Sequence, residues 1–197
     1  MSQFKGIIAP VTTPFDQSGR LRVSAFTRNL GKYRETPLAG VLVGGTTGEG
    51  PHLDADERME LVRIATDVMG SKDVLVGLPG RSVYQALREL DQLATFSIRA
   101  VLAATPAYFR PAMTESNLAR YFSLLADESP FPILLYNFPK LTGIELSVSL
   151  VKELSRHPKI AGMKESSANM IYVQQVLDST RGEEFELISG SAETFGL

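Results

Sequence analysis

At 197 residues, with 44% apolar and 21% charged side chains, the chain is long enough for one sizeable core and too short for two comfortable domains. A formal net charge of -2, with Lys and Arg interleaved among Asp and Glu, leaves no electrostatic footprint for a polyanion, so nucleic acid is excluded as an expected partner. The absence of cysteine excludes disulfide and thiolate chemistry and fits the reducing cytoplasm.

The N-terminal MSQFKGIIAPVTTPF carries a short apolar run broken by Pro10 and Pro14, which is neither a signal-peptide core nor a spanning helix, and no membrane partner is expected. A first strand is predicted from Gly6. The second, GVLVGGT from Gly40, runs into the glycine-rich turn GGTTGEG. That turn is not a phosphate loop, because Gly48 is followed by Glu49 rather than by the lysine that neutralises phosphate, and its glycines have the wrong spacing for a dinucleotide fingerprint. Glu49 is expected to organise the loop by accepting backbone hydrogen bonds. Next comes DADERMELVRIATDVMG, where Asp54 and Glu57 form a capping box and Leu61, Ile64, Ala65 and Val68 share a helical face. Further strands are predicted at DVLVGLPG from Asp73, AVLAATP from Ala100, FPILLYNFP from Phe131, KIAGMKES from Lys159 and FELISGS from Phe185. Between the fourth and fifth, TESNLARYFSLLADES places Leu118, Tyr121, Phe122 and Leu125 on one stripe.

The spacing of roughly 30 residues is that of a βα unit, and near-continuous apolar strands between amphipathic helices imply a parallel sheet covered by helices. Polar or glycine-rich turns after nearly every strand, with no topological switch point, favour an α/β fold of the (β/α)8 TIM-barrel type over an open doubly wound sheet. Such a barrel takes about 250 residues. We therefore expect a single barrel domain over 1–197 with about seven strands, C-terminally incomplete and stopping before an eighth βα unit.

His52 and His157 are the only histidines and read as loop residues, so no metal site is expected; no GxSxG elbow is present either. Chemistry without metal or cofactor points to lysine. Lys164 ends the sixth strand at the barrel mouth, where desolvation favours the neutral amine that attacks a carbonyl to form a Schiff base. Tyr136 ends the adjacent fifth strand, within reach to shuttle protons. Thr46 and Thr47 end the second strand, across the lumen from the sixth, with hydroxyls and amides suited to a carboxylate. Taken singly, each has a plainer reading: a solvated lysine, a core aromatic, a turn that uses Gly and Thr for geometry.

Together, GTTGE at Gly45 to Glu49, TPxYxRP at Thr105 to Pro111, YNFPxxTG at Tyr136 to Gly143 and GMKES at Gly162 to Ser166 are similar to the motifs of the dihydrodipicolinate synthase/N-acetylneuraminate lyase family. The resemblance spans the chain. It implies a class I aldolase acting on pyruvate or another 2-oxo acid, commonly as a homodimer or homotetramer when full length. It further implies that Lys164 forms the Schiff base and Tyr136 relays protons, that Thr46 and Thr47 hold the substrate carboxylate and join the relay, and that Gly190 lines the substrate site. Tyr108 matches a tyrosine that such enzymes insert into a neighbouring subunit's relay.

The arginine that synthases carry two residues after the YNxP proline is here Leu141, preceded by Lys140, and the aspartate of lyases in the strand-seven loop is Ala192. The segments LSRHPKIAGMKES and SGSAETF look closest to 4-hydroxy-2-oxoglutarate and 2-keto-3-deoxy sugar-acid aldolases. The implied reaction is reversible cleavage of a 4-hydroxy-2-oxo acid to pyruvate and an aldehyde. Its alternatives are 4-hydroxy-tetrahydrodipicolinate synthesis from pyruvate and aspartate semialdehyde, or a non-catalytic barrel that binds 2-oxo acids.

Overall fold

Alternation within each apolar run sorts its side chains onto two faces, and both faces are buried. In the computed structural model, which describes residues 4–191, the strands are β1 (Ile8–Pro10), β2 (Gly40–Val43), β3 (Asp73–Leu78), β4 (Ala100–Ala104), β5 (Ile133–Asn137), β6 (Ile160–Glu165) and β7 (Glu186–Ser189). They form one sheet in sequence order, each pair parallel. Val41, Val43, Val76, Val101 and Leu135 pack outward under the helices. Leu42, Leu75, Leu102, Leu134 and Ala161, the alternate positions, meet in a separate cluster that Ile8 of β1 and Ile188 of β7 also join. Side chains from both ends of the strand order touch one lumen only if the sheet is curled. The wall is therefore that of a (β/α)8-type barrel as far as its seventh strand.

The helices are α1 (Val23–Arg34), α2 (Ala55–Met69), α3 (Val83–Leu93), α4 (Glu115–Glu128), α5 (Pro139–Thr142), α6 (Val148–Leu154) and α7 (Met170–Ser179). Side chains of Asp54, Ser82, Thr114, Ser147 and Asn169 cap α2, α3, α4, α6 and α7, accepting hydrogen bonds from amides in the first turn. The predicted box at α2 is complete: Glu57 N donates to Asp54 at 2.8 Å and Asp54 N to Glu57 at 3.0 Å. Because most of these caps end loops that leave a strand's C-terminal end, they fix both ends of segments that rim the barrel mouth. Leu61, Ile64 and Ala65 on α2 are buried, as are Leu118, Tyr121, Phe122 and Leu125 on α4, while Val68 is half-buried.

The opposite rim is sealed. Phe4 lies in the lumen cluster, with the Arg99 guanidinium 5.4 Å from its ring centre and its own amide donating to Glu186 at 3.2 Å. Lys159, just before β6, donates from Nζ to the carbonyls of Asp127 and Ser129 at 3.0 and 2.9 Å. These bonds tie the α4–β5 turn to the base of the next strand. Among the described residues, no helix is long and apolar enough to cross a membrane.

Candidate active site

Strand register sets the centre of the site. Tyr136 on β5 and Lys164 on β6 are direct partners in the parallel ladder, and both point into the lumen because they occupy alternate positions from the outward-facing Leu135 and Met163. Lys164 Nζ lies 4.7 Å from the centre of the Tyr136 ring. It makes no hydrogen bond or ion pair among the described residues. Partial burial lowers its pKa below the ordinary 10.5, since desolvation penalises the ammonium and no anion offsets it.

The missing anion is adjacent in sequence. Glu165 is 3% exposed, but strand alternation turns it away from the lumen. Its carboxylate accepts from Asn137 Nδ2 at 2.6 Å and from the amide of Ser167. Asn137 also accepts from Leu146 N at 3.0 Å, and its carbonyl accepts from Ser166 N at 3.0 Å. This network locks the ends of β5 and β6 side by side while keeping a negative charge off the lysine. A carboxylate within reach of Nζ would favour the ammonium and suppress nucleophilicity.

Tyr136 is 7% exposed. Burial raises its pKa, opposed in part by the hydroxyls of Thr46 and Ser166. Thr46 Oγ1 and Tyr136 OH share a long hydrogen bond of 3.3 Å. The loop after β2 thus reaches across the mouth to the phenol. Ser166 Oγ, near that phenol, is buried without a well-aligned partner. Gly190 completes the wall: its amide donates to Glu165 O at 2.7 Å, and a Cβ there would overlap Ser166 Oγ and sit 2.8 Å from Lys164 Cε. Only glycine lets the β7 end approach the lysine stem so closely.

Lys164, Tyr136, Thr46 and Gly190 are therefore brought together. Thr47 is exposed at the loop tip and makes no hydrogen bond among the described residues. Tyr108 stands apart, 91% exposed and edge-on to Phe109 at 4.9 Å. Lys140 and Leu141 lie on α5, with Leu141 60% exposed. Ala192 lies outside the described residues. Glu49 differs from expectation: it is exposed, with φ 56, and its carboxylate accepts no hydrogen bond among the described residues. The left-handed backbone turns its side chain outward. The loop closes instead through backbone bonds such as Gly50 N to Gly45 O at 3.0 Å, and through Thr13, whose hydroxyl donates to Gly48 O at 2.6 Å.

Sequence reading passed over Ser166, Asn137, Glu165 and Thr13, although the first three stand inside quoted motifs; polarity at a strand end was the available signal. His52 is exposed on a single 3-10 turn, and His157 pairs with Asp127 at 3.1 Å on the outer surface. Among the described residues, no group of three or more His, Cys, Asp or Glu is placed to hold a metal.

The site and the wall that carries it belong to a barrel-type fold, with a desolvated lysine and a buried phenol side by side on adjacent strands. The profile described as the dihydrodipicolinate synthetase family matches residues 3–196, and the chain belongs to that family. It is 35% identical over 190 residues to 4-hydroxy-tetrahydrodipicolinate synthase of Methanosphaerula palustris, covering 95% of this chain and 64% of the relative. The structure is similar to that of the same-named enzyme from Methylacidiphilum fumariolicum SolV, with TM-score 0.88, 29% identity, and coverage of 95% of this chain and 62% of the other. A variant of Sulfolobus solfataricus 2-keto-3-deoxygluconate aldolase in complex with pyruvate gives TM-score 0.85 and 27% identity, with 95% and 61% coverage. The chain thus spans somewhat less than two thirds of the length of these relatives.

Proposed function

We propose that this chain supplies the catalytic face of a Schiff-base-forming lyase that reversibly cleaves a 4-hydroxy-2-oxo acid, of the 4-hydroxy-2-oxoglutarate or 2-keto-3-deoxy sugar-acid type, to pyruvate and an aldehyde. The observation that carries the reading is the Lys164 amine, desolvated and without hydrogen bond or ion pair, paired in register with Tyr136. The neutral amine attacks C2 of the oxo acid; the carbinolamine loses water, taking protons through Tyr136, and leaves an iminium. The C3–C4 bond then breaks with its electron pair drawn toward the iminium nitrogen, while the C4 hydroxyl gives its proton to the Tyr136 relay and departs as the aldehyde. Protonation of the enamine at C3 and hydrolysis release pyruvate and restore the amine. Thr46 sustains the relay, and the Thr46–Thr47 loop receives the substrate carboxylate. No cofactor enters these steps.

In the assembly, a homodimer or homotetramer in this reading, the exposed Tyr108 and Phe109 dock on a second copy, and Tyr108 extends that copy's relay. The cysteine-free sequence suits the cytoplasm.

Incubation with pyruvate, reduction by borohydride and peptide mass mapping tests the mechanism. The expected result is one reduced adduct, on Lys164; an unmodified lysine overturns it. A second reading, synthesis of 4-hydroxy-tetrahydrodipicolinate, is favoured by the name of the Methanosphaerula palustris relative. It predicts condensation of pyruvate with aspartate semialdehyde at a rate matching aldol cleavage. The apolar Leu141 side chain, unable to grip a second carboxylate, argues for cleavage.

A further inference from the structure

Among the described residues, the largest fully buried side chain is a charged one. Arg58, on α2, is 2% exposed. Its Nε donates to Glu89 Oε1 on α3 at 2.7 Å, Nη2 donates to the same carboxylate and to the carbonyl of Gly77 near the end of β3, and Nη1 donates to the carbonyl of Gly50 at 3.2 Å. The guanidinium therefore lies directly beneath the turn that presents Thr46 and Thr47. Backbone packing there is tight. A Cβ on Gly50 would overlap the Gly44 carbonyl, and one on Gly44 would sit 3.1 Å from Arg58 Nη1. The glycines of GGTTGEG thus let the loop fold flat onto an arginine.

A buried ion pair is a poor device for stability alone, since apolar residues of equal volume commonly serve as well. What this pair adds is direction. A planar fork with donors committed to one carboxylate and two backbone carbonyls fixes α2, α3, β3 and the loop in a single arrangement. We propose that Arg58 is a positioning residue: clamped by Glu89, it holds the Gly44–Gly50 turn so that the Thr46 hydroxyl stays on the Tyr136 phenol. Glu89 acts through Arg58. Neither residue touches the lumen, and both work through the proton relay. The inference rests on the Schiff-base reading above.

A double-mutant cycle tests it, read as the rate at which the pyruvate adduct becomes trappable by borohydride. R58K keeps a charge beside Glu89 but cannot reach both carbonyls. Folded R58K is expected to trap on the order of 10- to 100-fold more slowly than the parent, the scale of a catalytic group misplaced by about an ångström. In the T46V background, where the hydroxyl that Arg58 positions is gone, R58K should slow trapping by no more than about threefold further, because residues acting as one unit are not additive. E89Q, which keeps the side-chain shape but loosens the guanidinium, should show the same dependence on Thr46 at smaller amplitude, and it carries the test if R58K does not fold.

Parent-like trapping by folded R58K, or R58K and T46V effects that multiply, overturns the role of Arg58 while leaving the Schiff-base reading standing; for E89Q the same results do so. Absence of an adduct in the parent protein sinks the Schiff-base reading, and the role of Arg58 with it.

Discussion

One lysine directly precedes strand β6 and another lies near its far end, and the two are treated in opposite ways. Lys159 at the base has its ammonium committed to the carbonyls of Asp127 and Ser129. Lys164 at the mouth has neither a hydrogen bond nor an ion pair among the described residues, only the face of Tyr136. The carboxylate beside it in sequence is directed outward to Asn137 and the Ser167 amide. The base uses a cation to join two segments of chain. At the mouth the desolvation cost is left uncompensated, which lowers the pKa of the amine as the proposed Schiff-base role requires.

The contrast breaks most completely by exchanging which lysine is removed. K164M should abolish the borohydride-trapped adduct, whereas K159M should trap at the parental rate while losing about 1 kcal/mol of stability, a modest value for an exposed charge-assisted pair of hydrogen bonds; mass mapping and chemical denaturation check the two halves. Y136F, which keeps the ring against the amine but removes the phenolic proton, should slow adduct formation by about 10² or more, measured as a trapping time course.

The lowered pKa of Lys164 has a signed consequence for stability. Between that lowered value and 10.5, the unfolded chain holds the proton and the folded chain does not, so stability rises with pH through the window and is lost as pH falls back through it. K164M should flatten this dependence and, at neutral pH, raise the unfolding free energy by about 1 kcal/mol, as removal of a strained functional group commonly does. Denaturation midpoints of the two proteins across alkaline pH provide the measurement. The smallest effect concerns the loop after β6, where Ala168 sits at φ 61. A168G should relieve the left-handed strain and gain about 0.5–1 kcal/mol after the entropy cost of glycine, with trapping unchanged.

The strands and the main helices were legible because their signals are local: short, near-continuous apolar runs in β2 to β6, an Asp54–Glu57 box at α2, a clean stripe on α4. Lys164 and Tyr136 were legible because a strand's end and its neighbour follow from βα spacing alone. The Arg58–Glu89 clamp was not, since an arginine in DERMEL reads as a solvated helix residue until α3 and the glycine turn close over it. Glu49 misled for the complementary reason: its side-chain direction depends on a single left-handed φ that composition does not reveal.

Sequence by itself determined the parallel barrel architecture, the family, and the presence of a lysine and a tyrosine on adjacent strand ends, because periodicity and short motifs are written residue by residue along the chain. Tertiary structure alone decided that Thr46 is the threonine meeting the phenol, that Glu165 faces away from the lysine it follows, and that Gly190 presses on the lysine stem. Each of those is a choice of direction, and a side chain's direction is set by strand register, backbone dihedral and the packing of neighbours distant in sequence.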